Sequence, residues 1–184
     1  MNILIINGSP RETGRTTQVT RELHKSYQSS FLDLSQLSLP IFTGEPHQYE
    51  IEEVKVLTEA IEKADGILLA TPEYHGAMSG ALKNAFDFLN SAYFAHKPVA
   101  LVAVSGGGKG GINALNNLRT VTRALYANAL YANVLSKQLV LDPADIVEKG
   151  TLRKNAADGI HELVNELTLY AQVSKQILEA KQNV

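Results

Sequence analysis

The strongest constraint on the fold of this chain is a regular alternation of short β-branched runs with amphipathic helical stretches. This pattern is typical of successive βα units, which build a parallel sheet with helices on both faces. Strands are predicted over residues 3–6, 31–34, 66–71, 99–104 and 134–141. The runs 66–71 and 99–104 are apolar throughout, so both belong at the centre of the sheet with both faces covered.

Helical periodicity fills the intervals between these strands. Apolar side chains recur at helical spacing over residues 50–64 and 79–89, and residues 151–182 predict one long terminal helix. Pro40 and Pro46 flank a glycine-containing loop. No linker divides the 184 residues, of which 45% are apolar, so we expect a single α/β domain over residues 1–184.

Composition excludes several classes of function. The chain has no Cys, which rules out disulfides, thiolate metal sites and iron–sulfur clusters, so a redox function must rest on a bound cofactor. A formal net charge of −2 gives no footprint for nucleic acid or an anionic membrane. The first residues lack the features of a signal peptide, and no apolar run can span a bilayer, so we expect a cytoplasmic protein.

The loop after the first strand is suited to phosphate. Ligands bind open α/β sheets at the carboxyl edge of the strands. Residues 7–17 read Asn-Gly-Ser-Pro-Arg-Glu-Thr-Gly-Arg-Thr-Thr, at the start of a helix. Helix N–H groups, hydroxyls and guanidinium groups all bind phosphate, although the Gly-Lys-Ser/Thr ending of a Walker A loop is absent. The alternative is a Gly/Pro turn with solvated arginines and a capping Thr.

The loop after the third strand is suited to a flat heterocycle. Pro and Gly shape a tight loop that exposes its peptide groups, and Tyr74 and His75 offer flat faces. Ser79 is placed to cap the following helix. No second histidine stands at metal-ligand spacing from His75, so no metal site is predicted. A solvated loop histidine is the alternative interpretation of His75.

The fourth strand runs into a glycine-rich loop that contains a G-x-G-x-x-G match at Gly106, Gly108 and Gly111. The dinucleotide-binding motif of that form follows the first strand of a domain, so the match here is weak. Residues without a Cβ at a central strand end also suit close approach to a planar ligand. Lys109 is a candidate partner for a cofactor charge, with an exposed lysine as the alternative.

Three motifs together resemble the NADPH-dependent FMN reductase family, and within it the bacterial azobenzene and quinone reductases. They are Gly8-Ser9-Pro10-Arg11, the block over residues 72–87 and the glycine loop after the fourth strand. The resemblance covers residues 1 to about 143 and implies a flavodoxin-like α/β fold, with a five-stranded parallel sheet in the order 2-1-3-4-5. It further implies bound FMN, NADPH or NADH as co-substrate, small-molecule electron acceptors, and a homodimer or homotetramer.

The same resemblance implies which residues bind the cofactor. Residues of the first loop would hold the FMN phosphate: Ser9, Arg11, Arg15, Thr16 and Thr17. Residues of the two later loops would line the isoalloxazine: Pro72, Glu73, Tyr74, His75, Gly76, Ser105, Gly106 and Gly107. Many relatives have Asn in place of His75, and Ser or Asn in place of Gly14 and Arg15.

The implied reaction is ping-pong, in which NAD(P)H delivers hydride to the flavin and a quinone, azo compound or free flavin then takes the electrons. The flavin carries this chemistry, so no side chain is expected to be catalytic. Peptide N–H groups of the loops 73–76 and 106–107 are the expected tuning groups. Two alternatives remain open at this point: a flavodoxin-type electron carrier without NAD(P)H activity, and an NAD(P)-binding domain without flavin.

Two expectations concern assembly. A homo-oligomer is predicted, built at least partly from the helices that follow the third and fourth strands, because apolar residues cover more of the helix surface than one stripe requires. The apolar residues concerned are Ala81, Leu82, Ala85, Phe86, Phe88 and Leu89. A tandem Ala-Leu-Tyr-Ala-Asn over residues 124–133 is expected at the sheet edge opposite the flavin. Deletion of its second copy, residues 129–133, should therefore change assembly or stability and leave FMN binding intact.

Overall fold

A computed structural model of the chain, which describes residues 1–107, 110–126 and 133–182, contains one parallel sheet. Its strands run in the order β2-β1-β3-β4-β5, which confirms the predicted order. The strands are β1 (Ile3–Asn7), β2 (Ser30–Asp33), β3 (Gly66–Pro72), β4 (Pro98–Val104) and β5 (Asn133–Leu141). Strands β3 and β4 are buried along their whole length, as their continuous apolar sequences predict.

Helices cover both faces of the sheet. They are α1 (Arg15–Tyr27), α2 (Glu52–Glu62), α3 (Gly80–Asp87), α4 (Ile112–Tyr126) and α5 (Lys154–Gln182). Alternate side chains of the central strands pack against α2, α3 and α4 on one face and against α1 and α5 on the other. No helix among the described residues is long and apolar enough to cross a membrane.

Several element boundaries differ from the sequence prediction. Strand β2 is shifted one residue toward the N-terminus, and Pro46–Glu50 forms a short 3₁₀ helix after the expected loop, so α2 begins at Glu52 and not at residue 50. Helix α5 begins at Lys154 instead of residue 151, because the preceding peptide groups bond back to the loop before them. The Thr151 N–H donates to Glu148 O at 3.2 Å, and the Arg153 N–H donates to Asp145 O at 2.8 Å.

The ground for predicting an oligomer from α3 is wrong. Of the six apolar residues invoked, all except Ala81 are buried within the chain itself. Leu82, Ala85, Phe86 and Leu89 belong to the core cluster on this face of the sheet, and Phe88 is covered by the connection between β2 and α2, where Phe42 and Tyr49 pack edge-on against it at centroid distances of 5.1 and 6.2 Å. The homo-oligomer stays a prediction that light scattering tests, but this helix no longer supports it.

The tandem pentapeptide lies largely outside the described residues, since α4 is described to Tyr126 and β5 from Asn133. Gly108 and Lys109 also lie outside them. The expectations for the repeat and for Lys109 therefore stay predictions.

Candidate cofactor-binding site

Three loops meet at the carboxyl edge of the sheet, because the strands that precede them are neighbours in register. Asn7 of β1 pairs with Ala70 of β3, and Pro72 of β3 pairs with Val104 of β4. A cleft of about 80 Å³ opens between the loops. Its lining residues are Ser9, Arg11, Gly14, Arg15, Thr16, Pro72, Glu73, Tyr74, Val104, Ser105 and Gly106.

This cleft brings together most of the predicted site. The predicted residues outside its lining are Thr17, His75, Gly76 and Gly107. Gly14 and Val104 line it although the sequence analysis did not include them among the cofactor-binding residues. Gly14 had one usable signal, its place directly before a helix that follows a phosphate-type loop, whereas Val104 carries no signal beyond being the last residue of an apolar strand.

The loop from β1 to α1 is held in shape by Asn7, which is fully buried. Its side-chain oxygen accepts the Ser9 N–H at 3.1 Å, and its amide nitrogen donates to Thr17 Oγ1 at 2.9 Å and to Asp33 Oδ1 at 2.6 Å. Thr17 in turn donates its hydroxyl proton to Arg11 O at 2.7 Å. The Thr17 hydroxyl is therefore bonded to Asn7 and Arg11 within the loop. Of the polar groups of Thr17, its peptide N–H, in the first turn of α1, is the one left for a ligand.

Asp33 anchors this network with a negative charge. Its other oxygen accepts from Arg21 Nη2 at 2.8 Å, and Ser35 donates from both its hydroxyl and its peptide N–H. Burial raises the pKa of Asp33, but the hydrogen bonds from Ser35, Asn7 and Arg21 outweigh it and lower that pKa below 3.8. The carboxylate is thus ionised at neutral pH. Sequence reasoning missed Asp33, whose place at the end of an edge strand was its only signal.

Gly8 in the first loop is bonded both to strand β3 and to the residue that caps α3. The Gly8 N–H donates to Ala70 O at 2.7 Å, and a Cβ added at Gly8 would lie 2.7 Å from the same oxygen, so the backbones approach too closely for a side chain. Ser79 donates its hydroxyl proton to Gly8 O. The same hydroxyl accepts the Leu82 N–H at 3.0 Å, which confirms Ser79 as the cap of α3.

Helices α1, α3 and α4 start at this edge, and they differ in whether a side chain accepts hydrogen bonds from their first N–H groups. Helix α3 is capped by Ser79, and α4 is capped by Glu73 Oε2, which accepts the N–H groups of Gly111 and Ala114 at 2.8 and 3.1 Å. Helix α1 begins after Gly14, has no side-chain cap and has no acidic residue in its first turn. Among the described starts of these three helices, α1 alone has no side-chain acceptor for any N–H group of its first turn, so all of these donors are available to an anion.

Two guanidinium groups accompany the open start of α1. Arg11 and Arg15 both line the cleft and both are exposed. Arg15 reaches across it, since its Nη1 donates to Gly106 O at 3.3 Å. The first and third loops therefore face each other across a gap that one arginine spans, and positive charge collects at the end where α1 begins.

The β3–α3 loop forms a tight turn. Tyr74 and Ala77 exchange hydrogen bonds, N–H to O, at 2.9 and 3.1 Å in the two directions. The central residues His75 and Gly76 have φ values of 51° and 78°, the positive pair that defines a type I′ turn. The expectation that all peptide N–H groups of residues 73–76 are exposed is wrong for Tyr74, whose N–H is used in the turn. Among described residues, the N–H groups of His75 and Gly76 have no hydrogen-bond partner.

The glycine loop after β4 has its own internal brace. The Ser105 N–H donates to Leu141 O at 2.8 Å, and the Ser105 hydroxyl accepts the Gly107 N–H at 3.2 Å. That bond removes the Gly107 N–H from the expected tuning groups. A Cβ added at Gly106 or Gly107 would meet no described atom within 4 Å. The packing of the described chain does not itself require glycine here, so the space above the loop can admit a ligand.

Comparison with known proteins adds to this geometry. The sequence profile of a family described as NADPH-dependent FMN reductase matches residues 1–142. An NADPH azoreductase of Bacillus sp. (strain OY1-2) is 46% identical over 177 residues, which cover 96% of each chain. An FMN-dependent NADPH-azoreductase of Staphylococcus aureus is 37% identical over 139 residues, covering 71% of this chain and 73% of that protein.

A structural comparison agrees on the fold. The flavoenzyme NAD(P)H:(acceptor) oxidoreductase FerB from Paracoccus denitrificans superposes with a TM-score of 0.63 at 19% identity. The match covers 95% of this chain and 97% of that one. At this identity the likeness shows the fold alone.

Proposed function

Because the chain belongs to the NADPH-dependent FMN reductase family, we propose that it is an FMN-dependent oxidoreductase that takes electrons from NADPH and reduces azo compounds. Its relatives in Bacillus and Staphylococcus are named as NADPH azoreductases. The observation in the structure that supports this proposal most is the uncapped N-terminus of α1. It faces a cleft that is also lined by Arg11, Arg15 and residues of the loops after β3 and β4.

The phosphate of FMN is assigned to the first loop. The N–H groups at the start of α1 and the positive end of the helix dipole favour a dianion, and Arg11 and Arg15 can each donate charge-assisted hydrogen bonds to it. Ser9 and Thr16 line the same end of the cleft. Thr17 is assigned a contact through its peptide N–H only, because its hydroxyl is committed to Arg11 O.

The isoalloxazine is assigned to the surface between the type I′ turn and the glycine loop. The cleft of about 80 Å³ is well below the roughly 300–1,000 Å³ of sites that enclose a small ligand, so the ring lies mostly over the open surface. Pro72 and Tyr74 line one side of that cleft and Ser105 and Gly106 the other. The N–H groups of His75, Gly76 and Gly106 are the donors proposed to reach the polar edge of the ring.

Bound FMN supplies the acceptance and donation of hydride, which no side chain of this protein can supply. The chain itself has three tasks: it anchors the phosphate, it holds peptide donors at the ring edge, and it leaves one ring face open. An open face serves both NADPH and the acceptor, so we propose that they bind in turn and that the kinetics are ping-pong. Quinones and free flavins are proposed as further acceptors on the same ground.

Anaerobic stopped-flow mixing tests the proposal. The purified protein should be yellow, NADPH should bleach the flavin absorbance, and an azo dye such as methyl red should restore it while losing its own colour. Initial rates at several dye concentrations should give parallel double-reciprocal lines. Flavin that binds but is bleached by neither NADPH nor NADH would instead identify an electron carrier, and a colourless protein that does not take up FMN would reject the cofactor assignment.

A further inference from the structure

Helix α4 starts at a residue that cannot supply its own cap. Gly111 stands where the capping side chain of a helix is normally found, since its carbonyl accepts the Leu115 N–H at 3.0 Å. Its φ is +100°, and a Cβ there would lie 2.7 Å from Val140 Cγ1. Both the backbone conformation and the packing therefore require glycine, so Ser, Thr, Asp and Asn are all excluded from this position.

The missing cap is supplied from a different loop. Glu73 lies 38 residues before Gly111, yet its Oε2 accepts the N–H groups of both Gly111 and Ala114. Ala114 is completely buried in the core, so its N–H has no access to water. Without this carboxylate, a buried donor at the start of α4 would be left unpaired, which is among the costlier defects a helix end can have.

Glu73 also joins the two loops assigned to the flavin ring. It directly follows Pro72, the last residue of β3, and it precedes the Tyr74–Ala77 turn. Its side chain crosses to the start of α4, the element that follows the glycine loop. A single side chain thereby fixes the distance between the turn on one side of the cleft and the loop on the other.

We propose, resting on the assignment of FMN to this cleft, that Glu73 is a positioning residue that sets the glycine loop against the type I′ turn through its bond to α4. It acts on the cofactor site without a need to touch the cofactor with its side chain. Both N–H groups donate to one oxygen atom. A glutamine, whose side-chain oxygen can take the same place, should therefore preserve the arrangement, so the requirement is an acceptor and not a charge.

Titration of the apoprotein with FMN tests this in Glu73→Gln, Glu73→Ala and a control, Asn90→Ala. Asn90 caps the 3₁₀ helix Ser91–Phe94 through the Ala92 N–H at 2.9 Å, before β4 and thus at the other edge of the sheet. Loss of a helix cap typically costs about 1 kcal/mol. If that loss appears in full as misplacement of the cofactor loops, the FMN dissociation constant rises roughly tenfold. We expect Glu73→Ala to weaken FMN binding about tenfold and to alter the visible spectrum of bound FMN, while Glu73→Gln and Asn90→Ala stay within about threefold of the original protein.

Three results would overturn the proposal: an unchanged FMN dissociation constant and spectrum in Glu73→Ala, an equal loss in Glu73→Gln, or an equal loss in Asn90→Ala. If Glu73→Ala does not fold, Glu73→Gln decides alone, because a loss beyond about threefold in that variant contradicts the acceptor role. Failure of the FMN assignment is distinguishable, since the unsubstituted protein would then not bind FMN at all.

Discussion

Helices α1 and α4 begin in closely similar ways and end up with opposite properties. Each follows a strand of the same sheet, each starts at a glycine, Gly14 or Gly111, and each is preceded by a loop rich in small residues. The start of α4 already holds a carboxylate, because Glu73 accepts the N–H groups of Gly111 and Ala114. The start of α1 is open and accompanied by Arg11 and Arg15.

The difference shows that a glycine-rich loop before a helix does not by itself define an anion site. What decides is whether the N–H groups of the first turn already have an acceptor. The literal dinucleotide-type match at Gly106, Gly108 and Gly111 leads to a helix start that a carboxylate occupies. A nucleotide phosphate placed there would meet that negative charge, which supports the proposed assignment of the FMN phosphate to the start of α1.

The largest expected effect is a difference in the free energy of unfolding between alanine substitutions at Gly111 and at Gly14. Gly111→Ala forces a positive φ on alanine and pushes a methyl group against Val140, so we expect a loss of about 2–4 kcal/mol in the free energy of unfolding. Gly14 has φ −66° and ψ 152°, which any residue adopts, so Gly14→Ala should lose less than about 1 kcal/mol. Urea denaturation measures both. Equal losses would mean that the two starts do not differ in this way.

The next effect concerns charge at the open start. Arg11→Ala removes one of the two guanidinium groups of the cleft, and a charge-assisted hydrogen bond to phosphate is worth roughly 1.5–3 kcal/mol. We expect the affinity for FMN to fall accordingly while the rate of flavin reduction by NADPH in the saturated protein is kept. Lys83→Ala is the matched control, because it removes an exposed cation on α3 that pairs with Asp87. An unchanged dissociation constant in Arg11→Ala would place the phosphate elsewhere.

How far the sequence predicts this site depends on whether an interaction is local. Periodicity and apolar runs predict the strands, the helices on both faces and the central place of β3 and β4, because each strand and helix carries its own pattern, whereas the strand order was implied by the resemblance to the family. The capping of α3 by Ser79 was also predictable, since cap and helix are adjacent. The cap of α4 was not, because Glu73 is 38 residues away from Gly111 and no local pattern links them. The role of Asp33 under the first loop was hidden for the same reason.

A smaller effect is the pH dependence of stability that comes from Asp33, which holds Asn7 and thereby the first loop. Because hydrogen bonds lower the pKa of Asp33 in the folded state below its ordinary value, its ionised form stabilises the fold fully at pH values above the ordinary pKa of an Asp carboxyl, and the contribution is lost as pH falls through the lowered pKa. Arg21 is partly solvent-exposed, so we expect a contribution of only about 1 kcal/mol. Thermal melting between pH 7 and pH 3 should show a smaller drop in Asp33→Asn than in the unsubstituted protein. Equal drops would assign the acid sensitivity to other carboxylates.

The smallest expected effect comes from closing the open start itself. Gly14→Ser adds a hydroxyl where a capping residue normally stands, and that hydroxyl can accept the N–H of Thr16 or Thr17 in competition with a phosphate. The new Cβ would lie 3.2 Å from Arg11 O and from Ser9 Oγ, which is tight but adjustable. We expect unfolding free energy to change by only a few tenths of a kcal/mol and FMN affinity to fall by up to about threefold. Gly14→Ala adds the same Cβ without the hydroxyl, so the difference between the two variants isolates the competition. If serine weakens FMN binding no more than alanine does, the N–H groups of α1 are not what holds the phosphate, and the contrast with α4 loses its functional meaning.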